Sequence, residues 1–459
     1  MNLRILKALS LAFWFALVGS GTVRAQTPEN TSAFVRWAMQ DYMLGDWGGL
    51  RSQLSRKGID FEFAYISAAP NNLDGGIHTG TIYQGLALAM LDLDSEKLVG
   101  YAGGKFHVSG IWLHGREGFS AKYAGDYNRV NLIDFNNMLR LGELWYSQQL
   151  FGNQLSLKLG QLSIDSDFIV PEYYSSFGRF VLLNQTWFYP SLPYNLFAPP
   201  GFPNPGHGLP TLPYATPGAV VRWSPSEKFY LQAGIYSGSP DQTASGTRFN
   251  LSERDGALNY LEAGWRLNPG TNNPALGGTY KLGAYYHTGD FADTYSGVLG
   301  YYAGMPVAVG QHHGNYGAYL QAEQQLYLEQ GKRDPAQQGL VAFSRVLAAP
   351  ADRNLTQLEV DGGLVYRGLI PAREWDSLAI ACSYLEFSDK IRRAQQDVNT
   401  LAPGSFTPVD SETVLELSYK VQVTAWWTIQ PSLQHVFHPG GSSATPDVTA
   451  FIVQTMLRF

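Results

Sequence analysis

Apolar and polar residues alternate with a period of two along most of the chain. In the stretch LELSYKVQVT, from Leu415 to Thr424, odd positions are apolar or tyrosine and even positions are polar. This pattern is typical of a β-strand with one apolar face and one polar face. The same alternation recurs in segments that begin at Phe61, Gln154, Phe229 and Tyr280. The chain is therefore predicted to be all-β, with strands of about ten residues, which can cross a bilayer when tilted.

The alternation and its interruptions predict sixteen strands, near residues 61–68, 81–93, 103–114, 138–150, 154–162, 217–223, 229–238, 257–267, 278–287, 315–328, 339–348, 355–367, 375–387, 412–424, 427–437 and 448–459. The connections between them alternate in length. Those at 115–137, 163–216, 288–314 and 388–411 are long, and those at 151–153, 224–228 and 424–426 are short, while 349–354 is shorter than the pattern requires. An even strand number with alternating loops and turns indicates an outer-membrane barrel. Because only a closed sheet satisfies every backbone group in lipid, we predict a sixteen-stranded antiparallel transmembrane β-barrel over residues 59–459.

The first 25 residues have the features of a secretory signal peptide. Arg4 and Lys7 make the start positive, residues 8–19 form an apolar core, and Val23-Arg24-Ala25 resembles a cleavage site. The apolar core is too short for a membrane-spanning helix, which needs about 20 residues. We therefore predict export through a cleaved signal peptide and a mature chain that starts at Gln26.

Residues 26–58 precede the first predicted strand and form an N-terminal periplasmic extension in this interpretation. Within it, the sequence LGDWGGLRSQLSRKG predicts a short helix that Asp46 caps and Gly58 ends. The alternation that follows places Phe61 and Phe63 toward lipid and Glu62 toward water. The alternative is a surface helix without a role.

Composition supports a membrane location. Charged residues form 15% of the chain and aromatic residues 14%, with 49 glycines and 27 tyrosines. Average soluble chains carry roughly 25% charged residues, so part of the outer surface is expected to avoid water. The net charge of −6 argues against a nucleic-acid partner. Cys382 is the single cysteine, which excludes a disulfide framework within the chain.

Five segments together resemble the OprB family of carbohydrate-selective porins: LGDWGGLRSQLSRKGI, RLGELWYSQQL, PGAVVRWSPSEKFYLQAGIYSGSPD, APADRNLTQLEVDGGLVYRGLIP and TVLELSYKVQVTAWWTIQPSLQHVFHPGG. They stand in order between Leu44 and the C-terminus. The resemblance implies a sixteen-stranded porin that passes monosaccharides and related small solutes by facilitated diffusion. The last strand also looks like the assembly signal of bacterial outer-membrane proteins, because it ends in Phe459. The expected partners are therefore small carbohydrates, outer-membrane lipids and lipopolysaccharide, and the barrel assembly machinery.

A pore of this width needs a constriction, and the longest connection is the natural source of one. Residues 163–216 hold nine of the 25 prolines together with Trp187 and Phe188. We predict that this loop folds into the lumen and that its aromatic rings face sugar CH groups. An extracellular cover is the alternative.

Strand parity selects polar residues for the inner wall, since a charge on the lipid face costs about 2–4 kcal/mol near the bilayer centre. The predicted pore-lining residues are Arg140, Glu143, Trp145, Lys158, Arg222, Gln232, Glu323, Arg345 and Arg367. A shift of one residue in register would turn any of them outward. The alternative for each is a lumen charge paired with another residue and without solute contact.

No motif requires a cofactor or a metal. His312-His313 and Asp165-Ser166-Asp167 lack the supporting ligands of a metal site, and no nucleophile elbow is present. Three hypotheses remain: a sugar-selective porin, which includes a less selective general diffusion porin as its weaker form, an outer-membrane barrel enzyme, and a soluble glycan-binding sandwich. The first is favoured.

Overall fold

The strands of the chain form one closed antiparallel barrel. The computed structural model describes residues 32–172, 181–187, 210–241, 243, 245–252, 255–269, 275–302, 308–329 and 338–459. Each strand pairs with its neighbours in sequence, and β1 pairs with the last strand to close the wall. The predicted sixteen-stranded antiparallel barrel is confirmed.

The strand bounds follow the alternation closely. They are β1 Ile59–Asp74, β2 Gly80–Thr81, β3 Gln84–Asp94, β4 Gly104–Gly115, β5 Met138–Leu150, β6 Leu155–Leu162, β7 Thr216–Ser226, β8 Phe229–Ser237, β9 Ala257–Leu267, β10 Gly278–Ala292, β11 Gln311–Leu328, β12 Gly339–Ala348, β13 Thr356–Arg367, β14 Ser377–Phe387, β15 Ser411–Thr424, β16 Trp427–Phe437 and β17 Val448–Arg458. The two-residue β2 only prolongs the pairing of β1 with β3, so sixteen long strands build the wall. Strands β1, β10 and β11 extend beyond their predicted ends, because β1 continues its pairing with β17 and β10 continues its pairing with β11 past a bulge.

The two faces of the wall differ as the alternation predicts. On β15, Glu416 is 1% exposed, whereas Leu415 and Leu417 are 44% and 40% exposed on the opposite face. A closed barrel with exposed leucines outside and buried carboxylates inside is the arrangement that suits lipid around a polar lumen. The loop end of the barrel carries the long connections, including 116–137 and 163–215, and the turn end carries the short ones, including 227–228 and 425–426.

Few helices accompany the barrel in the described residues. They are α1 Ala33–Ala38, α2 Leu50–Arg56, α3 Ser95–Val99, α4 Thr294–Tyr302 and α5 Asp389–Leu401. Short 3₁₀ turns lie at Trp47–Gly49, Ile164–Ser166, Gln185–Trp187 and Pro439–Gly441, and a π-helical turn at Ser120–Ala124. Among the described residues, no helix is long and apolar enough to span a membrane.

The N-terminal extension docks at the turn end, beside the seam between β1 and β17. Gly49, and not the predicted Asp46, occupies the N-cap position of α2. The Asp46 carboxylate instead binds the first turn of α2, where it accepts from the backbone N–H of Ser52 at 2.7 Å and from the Ser52 hydroxyl at 2.8 Å. Arg51 on α2 donates to the carbonyl of Phe61 at 3.1 Å and to a backbone oxygen of Phe459 at 2.5 Å. These bonds join the extension to both strands of the seam.

Gly58 connects α2 to β1 with a positive φ of 87°. A Cβ atom there would lie 2.8 Å from the carbonyl oxygen of Asp94. Glycine is therefore required by both backbone conformation and close approach. The helix itself ends at Arg56, two residues before the glycine that was predicted to end it.

Candidate functional site

Two connections at the loop end lie against the inner face of the wall. The first is residues 116–137, between β4 and β5, and the second is the described part of residues 163–215, between β6 and β7. We call them inner loops 1 and 2. They contact each other, since the N–H of Leu132 donates to the carbonyl of Leu183 at 3.0 Å and the N–H of Gln185 to that of Arg129 at 2.9 Å.

Glu412, at the start of β15, holds inner loop 1. Its two carboxylate oxygens accept from the backbone N–H groups of Tyr127 at 2.7 Å and Asn128 at 2.8 Å. The N–H of Gly440 donates to the same carboxylate at 2.6 Å. A buried carboxylate needs such donors, and consecutive amides supply them without a counter-charge.

Glu416, four residues further along β15 and on the same face, holds inner loop 2 in the same way. It accepts from the N–H groups of Leu183 at 2.6 Å and Asn184 at 3.0 Å, and from the indole Nε1 of Trp187 at 2.7 Å. On β13, Glu359 accepts from the hydroxyl of Thr186 at 2.7 Å. We refer to Glu359, Glu412 and Glu416 as the carboxylate wall.

Three more wall carboxylates bind the start of inner loop 2. Glu143 accepts from the N–H of Ser163 at 2.9 Å, Glu262 from that of Ile169 at 3.0 Å, and Glu323 from that of Glu172 at 2.6 Å. The loop therefore crosses the lumen from β5 and β6 toward β11, held at each step by a carboxylate on the wall.

The predicted residues of β5 lie on the inner face through a β-bulge. Arg140 and Glu143 are three positions apart, so strict alternation would place them on opposite faces. The pairing with β4 shifts between Leu141 and Leu144, where two residues oppose Ser109 alone, and the N–H of Glu143 donates to the Ser109 hydroxyl at 2.9 Å. The extra residue changes the parity of the strand.

Arg140 and Trp145 on this strand make contacts within the protein. Arg140 donates to the carbonyls of Asp241 at 2.7 Å and Thr243 at 3.0 Å, which fixes the connection between β8 and β9. The ring of Trp145 stacks on His107 with centroids 4.8 Å apart, and the Lys158 ammonium lies 4.6 Å from that ring.

Arg345, Arg367 and Trp187, which were also predicted to line the pore, make contacts within the protein. Arg345 donates through Nε to Asp361 at 2.8 Å and through Nη2 to the carbonyl of Thr186 at 2.6 Å. The Arg367 guanidinium lies 4.6 Å from the ring of Trp375. Trp187 is 1% exposed and its ring lies nearly perpendicular to that of Phe343, with centroids 6.0 Å apart, so the protein covers the ring predicted to face sugar. Phe188 lies outside the described residues.

Lys158 and Arg222 border a cavity of about 470 Å³ on the side of inner loop 2 that faces the turn end. Its lining also includes Arg266 and Lys281 from the wall and Asp167 and Glu172 from the loop. We call this the basic cavity. Sequence reasoning selected Lys158, Arg222 and Gln232 but missed Arg266 and Lys281, although each stands at a polar position between apolar neighbours, in Trp265-Arg266-Leu267 and Tyr280-Lys281-Leu282.

The loop carboxyl groups differ in their electrostatic surroundings. Burial would raise the pKa of Glu172, but its bonds with Arg266 and the charge of Lys281 outweigh burial and hold that pKa below the usual value. Burial, together with the charge of Glu143, raises the pKa of Asp165 to about 7. Burial and the charge of Asp134 raise the pKa of Asp126 to about 6. In the basic cavity the pKa of Glu172 is thus lowered, whereas burial outweighs the charge of Lys158 and raises the pKa of Asp167. The anchored parts of both loops contain carboxyl groups that are protonated in mildly acidic solution.

Comparison with known proteins is consistent with this geometry. The chain is 27% identical to Porin B of Pseudomonas aeruginosa over 95% of its own length and 94% of that protein. It is 24% identical to the putative porin QuiX of Acinetobacter baylyi, over 92% and 93% of the two chains. The structure of Pseudomonas putida OprB at high pH superposes with a TM-score of 0.78 at 24% identity, covering 92% of this chain and 99% of that one.

The family model of carbohydrate-selective porins, OprB family, matches residues 78–459. The family and the barrel together imply an outer-membrane location and indicate a channel rather than an enzyme. The match includes β3 to β17, both inner loops and every residue of the basic cavity. The chain belongs to the OprB family of carbohydrate-selective porins.

Proposed function

We propose that this carbohydrate porin admits monosaccharides and similar small carbohydrates by passive diffusion through a constriction formed by the two inner loops. The observation that carries the proposal is the set of wall carboxylates that bind loop backbone N–H groups, above all Glu412 and Glu416. Amides held in this way narrow a lumen that sixteen strands would otherwise leave wide. Size selection then depends on the position of the loops.

The predicted site residues divide into two roles in this proposal. Most of them position the constriction through contacts within the protein, and these are Arg140, Glu143, Trp145, Glu323, Arg345, Arg367 and Trp187. Lys158 and Arg222 face the basic cavity and contact the solute directly. Phe188 follows Trp187 in the same connection between β6 and β7, and we propose the same role for it.

Liposome swelling tests the proposal. Proteoliposomes should swell in glucose much faster than in sucrose, and protein-free liposomes should swell in neither. Equal rates for solutes of different size would indicate a less selective general diffusion porin. No flux above empty liposomes would contradict passive transport and leave the barrel-enzyme alternative.

Substitution of aromatic residues tests the inner loop. Trp187→Ala removes the indole that donates to Glu416, and Phe188→Ala removes the adjacent ring. We expect both to alter the ratio of glucose to sucrose entry. An unchanged ratio for both variants would remove this part of inner loop 2 from the constriction.

We further propose that residues 1–25 are a cleaved signal peptide and that residues 26–58 form a periplasmic extension. We also propose that the barrel assembly machinery recognises the strand ending in Phe459. The folded wall then contacts lipid and lipopolysaccharide. The charged start and apolar core of the first segment support export. N-terminal sequencing of the outer-membrane protein should begin at Gln26. Deletion of Phe459 should reduce the amount of heat-modifiable barrel in the membrane, and an undiminished amount would contradict its role in assembly.

A further inference from the structure

The basic cavity contains more positive than negative side chains. Four cations, Lys158, Arg222, Arg266 and Lys281, line it together with two carboxylates, Asp167 and Glu172. Inner loop 2 cannot add a further acidic group, because Asp165, Asp167 and Glu172 are the only acidic residues in positions 163–216 of the sequence. A neutral sugar has no need of this excess.

The two carboxylates are already engaged with three of the four cations. Glu172 accepts from Arg266 at 2.7 and 3.1 Å, and Lys281 lies 3.4 Å from it. Asp167 accepts from Lys158 at 2.9 and 3.2 Å. These pairs connect the loop with strands β6, β9 and β10 and leave Arg222 between them.

Arg222 is positioned to bind an anion. Its guanidinium carbon lies 3.7 Å from the centre of the Tyr230 ring, and Nη1 donates to the amide oxygen of Gln232 at 3.4 Å. Within the part of the chain that the structure describes, Arg222 forms no ion pair. Stacking on a ring fixes the plane of a guanidinium and leaves its N–H edge available for a carboxylate, which it can bind through two parallel bonds.

The surroundings of Arg222 supply groups that suit hydroxyls. Ser156 is the direct cross-strand neighbour of Arg222 on β6, and Gln232 is its neighbour on β8. Ser156 and the hydroxyl of Ser166 also line the cavity. A row of hydroxyl and amide groups on both sides of one arginine can bind a solute that is polyhydroxylated and carries a single carboxylate.

We propose that the basic cavity is a binding site for sugar acids, meaning monosaccharide-sized polyhydroxylated carboxylates, whose carboxylate binds Arg222 with Lys158 nearby. The inference rests on the proposed pore, since the solute must reach the cavity from the lumen. It extends the proposed function from neutral sugars to a charged class of solute.

A matched pair of solutes isolates the charge. Glucuronate and glucuronamide share ring, hydroxyls and size and differ in one negative charge. In planar bilayers with the full-length mature porin, we expect glucuronate to block the ion current at concentrations roughly tenfold lower than glucuronamide does, as one charge-assisted hydrogen bond contributes. Acetate, which has the charge without the hydroxyls, should block no better than glucuronamide.

Arg222→Gln tests the residue, and Lys105→Gln is the matched control. Lys105 lies on β4 at the turn end, pairs with Asp92 at 3.1 Å and does not line the cavity. Arg222→Gln should raise the blocking concentration of glucuronate roughly tenfold and leave that of glucuronamide within twofold. Lys105→Gln should leave the preference for glucuronate unchanged.

Three results would overturn the sugar-acid site: equal block by glucuronate and glucuronamide in the unaltered protein, equal block by acetate and glucuronate, or equal loss in the two variants. The first two comparisons need no variant, so they decide the question even if Arg222→Gln fails to insert. Glucose-driven swelling separates this inference from the proposed function. Swelling in glucose without preference for glucuronate rejects the site alone, and preference for glucuronate without swelling in glucose rejects the neutral-sugar pathway alone.

Discussion

The carboxylate wall and the basic cavity are built on the same inner face by the same alternation, yet they do different things with their charges. At the carboxylate wall, Glu412 and Glu416 accept hydrogen bonds from backbone N–H groups, so each carboxyl group holds a loop in place. At the basic cavity, the charged groups pair with one another around open space, and Arg222 remains without an ion pair among the described residues. The charge of a lumen residue therefore does not by itself indicate solute contact. Solute contact depends on whether the residue faces another protein group or open space in the lumen.

The largest effect is expected from breaking the carboxylate wall. Glu416→Ala removes the acceptor of two backbone N–H groups and of the Trp187 indole. Each buried donor left unsatisfied costs about 1–3 kcal/mol, so docking of inner loop 2 should weaken by about 3 kcal/mol or more. Sucrose entry into proteoliposomes should rise several-fold toward the glucose rate.

Glu386→Ala is the control for that variant. Glu386 stands near the loop end of β14, at the position between the inward-facing Leu385 and Phe387, where the side chain points away from the lumen. Its removal should leave sucrose excluded. If Glu416→Ala also continued to exclude sucrose, the wall carboxylates would not hold the constriction.

A smaller effect is expected from the basic cavity. The double variant Lys158→Gln and Arg222→Gln removes two positive charges from the narrow part of the lumen, where a low-dielectric wall strengthens their field. The ratio of chloride to potassium permeability, from reversal potentials in a potassium chloride gradient, should fall several-fold, and less at high salt because of screening. Sucrose should still be excluded. Sucrose entry in this variant would show that the cavity also holds the loop and would end the distinction between the two regions.

The barrel was predictable because the pattern that produces it is visible in short stretches of sequence. The alternation of apolar and polar side chains, interrupted by turn residues, determines the strands, their two faces and the closure of the sheet. The inner wall was only partly predictable for the same reason. Arg140 and Glu143 share a face through a bulge opposite Ser109, which parity cannot reveal. Trp187 stood out as an aromatic loop residue, but its burial against Glu416 depends on a contact across more than two hundred residues.

The sequence of β15 also indicates the carboxylate wall. In Val414-Leu415-Glu416-Leu417, a glutamate stands at the centre of an apolar strand, and Glu412 precedes it by two pleats. An acidic residue at mid-strand must face the lumen, and in a lumen filled by loops it must find donors. Which backbone segment supplies them depends on the path of the loops, and strand patterning contains no information about that path.

The pH dependence should distinguish the regions as well. The pKa of Asp126 is raised to about 6 and that of Asp165 to about 7, both mainly by burial. Because both exceed the ordinary value near 4, their contribution to loop docking is complete below about pH 4 and is lost as the pH rises through 6 and 7. Asp126 faces Asp134, Glu412 and Arg129, so its ionisation adds repulsion beside two carboxylates.

We therefore expect hydrogen exchange at Tyr127 and Asn128, corrected for the intrinsic pH effect, to be slower at pH 5 than at pH 8. Asp126→Asn should remove most of this difference, since an amide is neutral throughout. In the basic cavity the pKa of Glu172 is lowered and burial raises that of Asp167. Glucuronate block should therefore not weaken between pH 8 and pH 5, because protonation of Asp167 removes a negative charge from the cavity. Equal exchange at the two pH values in the unaltered protein would contradict the role assigned to Asp126.

The smallest effects should come from single hydroxyls, one in each region, and they test the separation most finely. Thr186→Val removes the bond from the Thr186 hydroxyl to Glu359 at the carboxylate wall, which should cost about 1 kcal/mol of loop docking. Ser156→Ala removes a hydroxyl from the basic cavity that accepts from Gln149 at 3.1 Å. We expect the first variant to increase protease cleavage within residues 163–216 severalfold and to leave glucuronate block unchanged. The second should weaken glucuronate block about twofold and leave cleavage unchanged, as one neutral hydrogen bond of about 0.5 kcal/mol implies. If either variant affected both measurements, the inner wall would act as one coupled unit, because a shared loop would then transmit every local change.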